Sequence, residues 1–284
     1  MRAVHVLTAL AALTTAVAAG CGGDAMPVAV TSSLAVPAPV VAPARGPASA
    51  RALRVVSYNV NFGLDGDAAG VEAIARVDPD VVFLQETTPA WQHALVAGLG
   101  ARLPHHRFDP SDSWPAGGLG VMSRFAIVSA ETLPSAGGPF FASRVVLATL
   151  DGPVQVLHVH LRPPMSDGGS WVIGYFSTRD DRVREITGHH QALAPGLPTL
   201  VVGDFNEEGD GGAVRFLTER GLADVLPRFV GARPTWQWAL PSGLTLRLQL
   251  DHLLHDAHFV AIDAGIVAAG RSDHVPIWVD LERP

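Results

Sequence analysis

Six short polar motifs in this sequence each border an apolar run. Apolar runs of this length predict buried strands. The ends of such strands are where α/β proteins usually assemble their sites, so the polar groups there are candidates for function. The motifs supply amide, carboxylate and imidazole groups, a set that suits metal-assisted attack on a phosphate ester. They are Tyr58-Asn59, Gln85-Glu86, His158-Val159-His160, Gly203-Asp204-Phe205-Asn206, Asp251-His252 and Ser272-Asp273-His274.

Some of these side chains suit a divalent cation. Glu86 ends an apolar run, Asp273 precedes the last predicted strand, and Asn59 adds an amide oxygen. Such hard oxygen ligands favour Mg²⁺ or Mn²⁺. The single cysteine and the absence of a His-x-x-x-His pair argue against a zinc site. Because a lone carboxylate at a strand end is often only solvated, the prediction depends on the whole combination.

The alternation of side chains along a strand predicts which groups share a face. If the strand continues past Asp204, Asp204 and Asn206 point the same way. The same rule places His158 and His160 on one face of their strand. His160 precedes a Leu-Arg-Pro-Pro segment that must break the strand into a loop, so it is the better candidate for chemistry. His158 is interpreted as a core residue.

The predicted elements that position the motifs form a single domain. A β-α-β-α opening is predicted from a strand over 53–60, a helix over 67–77, a strand over 81–84 and a helix over 88–99. The rest is mostly strands, with helices over 178–193 and 212–220. The later strands are predicted at 120–122, 126–130, 144–150, 154–161, 199–202, 246–254, 258–266 and 275–281.

Each half of this domain has helices beside mixed or antiparallel strands, and no Gly/Ser-rich linker separates the halves. The most economical packing is two β-sheets face to face with helices covering the outside. The domain is predicted to span residues 51–284. With 48% apolar residues, the chain has ample material for such a core.

The first 50 residues have a different composition. Arg2, an apolar segment over 4–19 and small residues before Cys21 have the layout of a signal peptide over 1–20. The small residues ending in the only cysteine resemble the lipobox of bacterial lipoproteins, which predicts lipidation of Cys21. Residues 21–50 are rich in Ala and Pro and predict an extended tether. These features predict an exported, membrane-anchored protein at the cell surface or in the periplasm; an ordinary thiol would instead mean a secreted one.

The charge of the domain bears on its partners. Without the two arginines and one aspartate of the first 50 residues, residues 51–284 carry a net charge of −8. A negative domain without a basic run offers little electrostatic capture of nucleic acid. A local basic rim remains open, with the candidates Arg107, Arg124, Arg144, Arg162, Arg179 and Arg271.

Taken together, the motifs resemble those of the endonuclease/exonuclease/phosphatase superfamily. The resemblance adds Gly118–Arg124, His160-Leu161 and Pro234-Thr235-Trp236 to the motifs above, in the same order across residues 51–284. It implies a DNase I-like, four-layer α/β sandwich of two packed mixed β-sheets flanked by helices. It also implies a metal-dependent phosphoric ester hydrolase.

The resemblance assigns a metal role to three residues. Glu86 would bind the divalent cation, Mg²⁺ or Mn²⁺, and Asn59 would hold the cation or a phosphate oxygen. Asp273 would complete the metal environment. Asn61 stands where some nucleases of the family have an acidic residue, which puts a second metal contact there in doubt.

The resemblance assigns catalytic roles to five further residues. Asp204 would orient or deprotonate the attacking water, and Asn206 would help position the phosphate. His160 and His274 would donate to the phosphoryl oxygens, and Asp251 would hold His274 in the donating state. The His160-Leu161 pair is similar to the DNase I, sphingomyelinase and inositol-phosphatase branches of the family, not to the abasic-site nucleases.

Three classes of function stay open. The favoured class is a phosphodiesterase or phosphomonoesterase acting outside the cytoplasm on a small or lipid-derived phosphate ester. The alternatives are an extracellular nuclease and a non-catalytic surface lipoprotein that keeps the fold. A monomer is expected, with a phosphate-ester substrate and the membrane as partners.

Two predicted loops rim the site and would select the substrate. They span 109–118, with Trp114, and 162–174, with Trp171. Trp236 and Trp238 are expected to pack against the core with one face.

Overall fold

The computed structural model describes residues 52–165, 171–240 and 243–284, and it leaves the side chains of residues 171–173 undescribed. The predicted signal peptide, the tether, Cys21 and the Trp171 side chain therefore lie outside what is described. Among the described residues, no helix is both long and apolar enough to cross a membrane.

The described chain contains strands from both predicted halves and short helices between them. The strands are β1 (Leu53–Asn59), β2 (Val81–Gln85), β3 (His105–Asp109), β4 (Leu119–Ser123), β5 (Ile127–Leu133), β6 (Ala142–Thr149), β7 (Gly152–His160), β8 (Thr199–Asp204), β9 (Ala223–Asp224), β10 (Trp236–Ala239), β11 (Thr245–Leu248), β12 (Asp251–His255), β13 (Val260–Ile266) and β14 (Ile277–Glu282). The helices are α1 (Ala68–Val77), α2 (Pro89–Leu99), α3 (Trp171–Ser177), α4 (Arg179–His190), α5 (Gly212–Thr218) and α6 (Leu226–Val230), and Phe62–Leu64 and Pro115–Gly117 form single 3₁₀ turns.

Twelve of these strands form two six-stranded sheets, and β10 and β11 form a separate hairpin. The first sheet has the order β13-β14-β1-β2-β4-β3, and the second has the order β5-β6-β7-β8-β12-β9. Both sheets are mixed, because β1 runs parallel to β2 and β7 runs parallel to β8, while the other neighbours are antiparallel. The carboxyl ends of these four parallel strands carry the first four polar motifs.

The two sheets pack face to face and the helices cover their outer faces. Phe83 of the first sheet and Val202 of the second belong to the core between them. On the outer face of the first sheet, Trp91 of α2 packs in a second apolar cluster. Ile186 of α4 and Val214 of α5 pack in a third, over the second sheet. The predicted four-layer α/β sandwich is confirmed.

Local sequence explains where the first two helices begin. The Asp67 side chain accepts a hydrogen bond from the Gly70 N–H and caps α1. The Thr88 side chain accepts from the Trp91 N–H, and Pro89 occupies the first turn of α2, where its missing N–H costs nothing. The helix predicted over 88–99 is therefore confirmed, with Thr88 as its cap.

One predicted strand is wrong, because residues 246–254 do not form a single strand. The chain divides into β11, in the hairpin, and β12, in the second sheet. Between them, the Thr235 hydroxyl accepts the N–H groups of Leu250 and Asp251 at 2.9 and 3.1 Å. The Gln249 amide donates to loop carbonyls. These side-chain bonds replace ladder bonds, and apolar patterning does not reveal them.

Gly203 is required where β7 and β8 meet. Its φ of +143° is rare for residues with a side chain, and a Cβ there would lie 1.9 Å from the Val159 carbonyl oxygen. Gly203→Ala should therefore lower the free energy of unfolding by roughly 3 kcal/mol or more, combining backbone strain with overpacking. Chemical denaturation would measure the change.

Gly221→Ala is the matched control. Gly221 also has a positive φ, +89°, but a Cβ at this position would meet nothing in the described part of the chain within 4 Å, its sequence neighbours aside. This variant should lose only about 1 kcal/mol, from strain alone. Equal losses in the two variants would contradict the steric account of Gly203.

Candidate active site

Side chains from both sheets converge on the carboxylate of Asp204. Asp204 ends β8, and its Oδ2 accepts a hydrogen bond from Asn59 Nδ2 of β1 at 3.1 Å. The Nε2 atoms of His160 and His274 lie 3.6 and 3.5 Å from the same oxygen. All four residues are buried. The structure therefore brings these four predicted site residues together.

Asp251 and His274 form a pair beside Asp204. Asp251 begins β12 opposite Asp204 in the antiparallel register, and its Oδ2 lies 2.9 Å from His274 Nδ1. Burial opposes charge on the imidazole, but the carboxylates of Asp251 and Asp204 outweigh it and raise the pKa of His274 to about 10. His274 is therefore an imidazolium at neutral pH, with Nε2 directed at Asp204.

The Asp204 carboxyl holds its proton more tightly than an exposed aspartate does. Burial, opposed by the charge of His274, raises the pKa of Asp204 to about 7. A carboxylate with a pKa near neutrality has the basicity that a general base needs.

Glu86 lies next to this group, at the end of β2. Its Oε1 accepts from Asn59 Nδ2 at 3.0 Å and lies 4.0 Å from His160 Nε2, while its Oε2 accepts from the Phe62 N–H. Burial raises the pKa of Glu86, partly offset by the Asn59 bond. Glu86 has a φ of +61°, so its backbone is strained where its side chain enters the site.

His160 is held by the loop that precedes β4. Its Nδ1 lies 3.2 Å from the Ala116 carbonyl oxygen, and the Phe140 ring stacks on it at 4.3 Å between centroids. Burial, with the nearby charge of His274, lowers the pKa of His160 to about 3. The neutral ring donates from Nδ1, so Nε2 can donate to a phosphoryl oxygen only after it gains a proton.

The strand does not continue from Asp204 to Asn206, so the condition under which both side chains were predicted to share a face is not met. β8 ends at Asp204, and Asn206 has a left-handed φ of +53°. The Asn206 N–H donates to Asp204 Oδ1 at 2.8 Å, and its amide nitrogen donates to the Leu161 carbonyl at 2.9 Å. Asn206 thus orients Asp204 through its backbone.

Asp273 lies at the edge of the site and is linked to it through the side chains of Asn61 and Trp236. Its Oδ1 accepts from Asn61 Nδ2 at 2.8 Å, and its Oδ2 accepts from Trp236 Nε1 at 2.9 Å. Asn61 in turn donates its N–H to Asn59 Oδ1 at 3.1 Å. Trp236 packs in the interior as expected, with this additional polar contact, whereas Trp238 is 41% exposed.

The oxygen atoms around Glu86 and Asp204 fit a divalent cation. The Asn59 amide nitrogen donates to one oxygen of each carboxylate, and burial raises the pKa of both carboxyl groups. Asp251 Oδ1 is buried without a hydrogen-bond partner in the described part of the chain. The group of Asp204, Asp251 and His274, whose candidate ligand atoms lie within 4.8 Å of one another, does not include the predicted metal residues Glu86 and Asp273. Such buried negative charge calls for a cation, and the carboxylate-rich donors favour a hard one.

The chain is thus an α/β sandwich of two mixed sheets. Carboxylates, amides and imidazoles from both sheets form a site at the strand ends. The model of the Endonuclease/Exonuclease/phosphatase family matches residues 56–274. The chain belongs to this family, whose members typically hydrolyse phosphate esters.

Solved structures share the fold at low sequence identity. An endonuclease/exonuclease/phosphatase from Beutenbergia cavernae is 21% identical, with a TM-score of 0.65 over 82% of this chain and 72% of that one. TDP2 from D. rerio, complexed with single strand DNA product, is 18% identical, with a TM-score of 0.61 over 81% and 99%. Sphingomyelinase C from Streptomyces griseocarneus is 18% identical, with a TM-score of 0.57 over 81% and 99%. No curated protein matches the chain.

Proposed function

We propose that this chain is a divalent-metal-dependent phosphoesterase that hydrolyses a phosphate ester with water activated by Asp204. The observation that carries the proposal is the arrangement around Asp204 Oδ2, which lies 3.5 Å from Nε2 of His274 and, like Glu86 Oε1, accepts a hydrogen bond from the Asn59 amide nitrogen. A base, a cationic donor and a buried carboxylate for a metal thus meet in one place. Phosphoryl transfer needs these groups because its transition state concentrates negative charge.

Each side chain has a role that its surroundings support. Asp204 takes the proton of the attacking water, since burial gives it the required basicity. His274 donates from Nε2 to a phosphoryl oxygen while Asp251 holds Nδ1. Glu86 would hold Mg²⁺ or Mn²⁺. Asn59, which donates to Glu86, and Asp273, which accepts from Asn61 and Trp236, would complete its surroundings. The bound cation would neutralise charge on the phosphate.

The Asp251 carboxylate should set the alkaline limit of activity. In Asp251→Asn, burial of His274 still disfavours its charge while the main opposing charge is gone, so the pKa of His274 falls. The alkaline limb of the kcat–pH profile should therefore move to lower pH than in the wild type. An alkaline limb at the wild-type position would contradict the donor role of His274.

The existing contacts of the candidate rim arginines favour a small or lipid-derived ester over nucleic acid as the substrate. Of the six candidates for a basic rim, five form ion pairs with acidic side chains. The sixth, Arg179, lies over the rings of Tyr175 and Phe176. Cations already paired with carboxylates contribute less to capture of a polyanion.

A nuclease is the second candidate, supported by the similarity to the D. rerio protein complexed with single strand DNA product. A substrate panel separates the possibilities: plasmid DNA at low salt, sphingomyelin, inositol phosphates and bis(p-nitrophenyl) phosphate, each with the wild type and Asp204→Ala. We expect Asp204-dependent release from the small or lipid esters. Preferential DNA cleavage would favour the nuclease, and no turnover of any substrate would favour a non-catalytic lipoprotein.

The proposal places the enzyme outside the cytoplasm, as a monomer anchored by lipid at Cys21. It is supported by the apolar segment over 4–19 and the small residues before that cysteine. Cys21→Ser should release the protein from the membrane fraction. Unchanged fractionation would refute the lipid anchor.

A further inference from the structure

A second histidine–carboxylate pair lies on the opposite side of β12 from Asp251. His252 follows Asp251 directly, and alternation along the strand turns it away from His274. His252 is completely buried, and the edge of its ring lies against Phe205, 5.3 Å between centroids. The proposed function assigns no role to this residue.

Both ring nitrogens of His252 contact groups that only accept hydrogen bonds. Nδ1 lies 2.8 Å from Asp224 Oδ2 on β9, and Nε2 lies 3.0 Å from the Glu207 carbonyl oxygen. A neutral imidazole has one N–H and can satisfy only one of these partners. Two acceptors therefore indicate an imidazolium. In agreement, the charge and hydrogen bond of Asp224 overcome burial and raise the pKa of His252 to about 9.

The Glu207 contact matters because Glu207 follows the left-handed Asn206. The Asn206 N–H donates to Asp204 Oδ1 at 2.8 Å, so the position of this turn bears on the orientation of the Asp204 carboxylate. A left-handed conformation at a non-glycine residue needs support from its surroundings. His252 supplies that support by binding the carbonyl group one residue further along the chain.

The Glu207 side chain is fixed as well. Its Oε2 accepts from Arg182 Nε at 3.2 Å, and its Oε1 accepts the N–H groups of Ala213 and Val214 at 2.6 and 3.0 Å. Arg182 also donates to the Arg162 carbonyl, in the loop that follows His160. The charged group in contact with His252 is thus Asp224. The Glu207 side chain, paired with Arg182, belongs to the residue whose backbone carbonyl contacts His252.

We propose that His252 is a positioning residue for the phosphoesterase reaction: its hydrogen bond to the Glu207 carbonyl holds the Asn206 turn and so orients Asp204. This inference rests on the proposed function for its kinetic effect. The geometric part, that the His252–Glu207 bond keeps the Asn206 N–H on Asp204, can be tested without any activity.

Two substitutions of His252 separate its hydrogen bond to Asp224 from its hydrogen bond to Glu207. The amide nitrogen of asparagine can replace Nδ1 and keep the bond to Asp224, but it is too short to reach Glu207. The amide nitrogen of glutamine extends to the position of Nε2 and can keep the bond to Glu207. His252→Asn should lower kcat on bis(p-nitrophenyl) phosphate about 10–100-fold, with KM and Mn²⁺ affinity within about 2-fold of the wild type. His252→Gln should keep kcat within about 3-fold.

The control is His258→Asn, which removes an exposed histidine paired with Asp256 at 3.0 Å. It should leave kcat unchanged. A merely structural role for His252 would give kcat losses that follow the melting temperatures of the Asn and Gln variants, without the expected asymmetry. Equal losses in both variants, or no loss in either, would overturn the proposal.

The second measurement is the amide proton shift of Asn206 in the full chain by NMR. His252→Asn should move this resonance upfield, since the bond to Asp204 loosens, and His252→Gln should leave it in place. If the wild type hydrolyses no ester, the proposed function fails, but this measurement still decides whether His252 holds the turn. An Asn206 resonance unchanged in both variants would refute the positioning role.

Discussion

Asp204→Asn is expected to reduce kcat by about 10³-fold, because it removes the base while changing the side chain's volume little. The Asp204 carboxylate lies at the meeting point of both sheets and contacts Asn59, His160 and His274. Asparagine can still accept the Asn206 N–H through its remaining oxygen. Steady-state kinetics on bis(p-nitrophenyl) phosphate with Mn²⁺ would measure the loss.

The fold of this variant must be checked independently. Circular dichroism and the melting temperature should show a folded protein, because asparagine has nearly the same shape and its oxygen can keep the bond from the Asn206 N–H. A folded Asp204→Asn variant that keeps more than about one tenth of the wild-type kcat would show that Asp204 is not the base.

His274→Ala is expected to lower kcat by roughly 10²–10³-fold, the effect of removing one donor to a developing oxyanion. The imidazole is buried and is held by Asp251 at 2.9 Å. Since His274 is expected to donate a hydrogen bond and not to ligate the metal, Mn²⁺ affinity should change less than about 3-fold. Isothermal titration calorimetry would measure the affinity beside the kinetics.

Comparing the loss of kcat with the loss of Mn²⁺ affinity in His274→Ala tests whether His274 is a donor or a metal ligand. Equal losses in kcat and in Mn²⁺ affinity would make His274 a metal ligand, an arrangement that the cluster of Asp204, Asp251 and His274 also allows geometrically. His258→Ala, at an exposed position, is the control and should change neither quantity.

Much of the fold could be predicted because buried strands and helix caps are local features. The apolar runs ending at Asn59, Gln85, His160 and Asp204 correspond to β1, β2, β7 and β8, and the caps at Asp67 and Thr88 follow from residue type. The first two of these strands are neighbours in one sheet and the last two in the other. Within each sheet the polar ends lie side by side, because parallel strands present their carboxyl ends at the same edge, and the face-to-face packing of the sheets brings the two pairs together.

Other features depend on contacts between distant residues, which patterning does not encode. The division between β11 and β12 depends on the Thr235 hydroxyl, 15 residues before Leu250. The place of Trp236 in the site depends on an indole bond to Asp273, 37 residues away. β3 is absent from the predicted strands because its five residues are all exposed or half-buried, so no apolar alternation marks it.

The positions of Asn206 and His252 show a second limit. The sequence places Asn206 two residues after Asp204, but only the left-handed backbone shows that it acts on Asp204 through its N–H. Strand alternation in the sequence turns His252 away from Asp251 but assigns it no partner, whereas the structure places Asp224 and Glu207 on either side of its ring. Both depend on local backbone geometry, which residue type alone does not determine.

The most direct test of the central claim is the dependence of phosphate-ester hydrolysis on a divalent cation in wild type and Glu86→Gln. The wild-type protein should hydrolyse bis(p-nitrophenyl) phosphate with Mn²⁺ or Mg²⁺, lose this activity in EDTA and recover it when the cation is restored. Glu86→Gln should need a much higher Mn²⁺ concentration for the same rate, because it removes a carboxylate ligand. Hydrolysis that persists in EDTA, or that shows the same Mn²⁺ dependence in Glu86→Gln, would contradict the account.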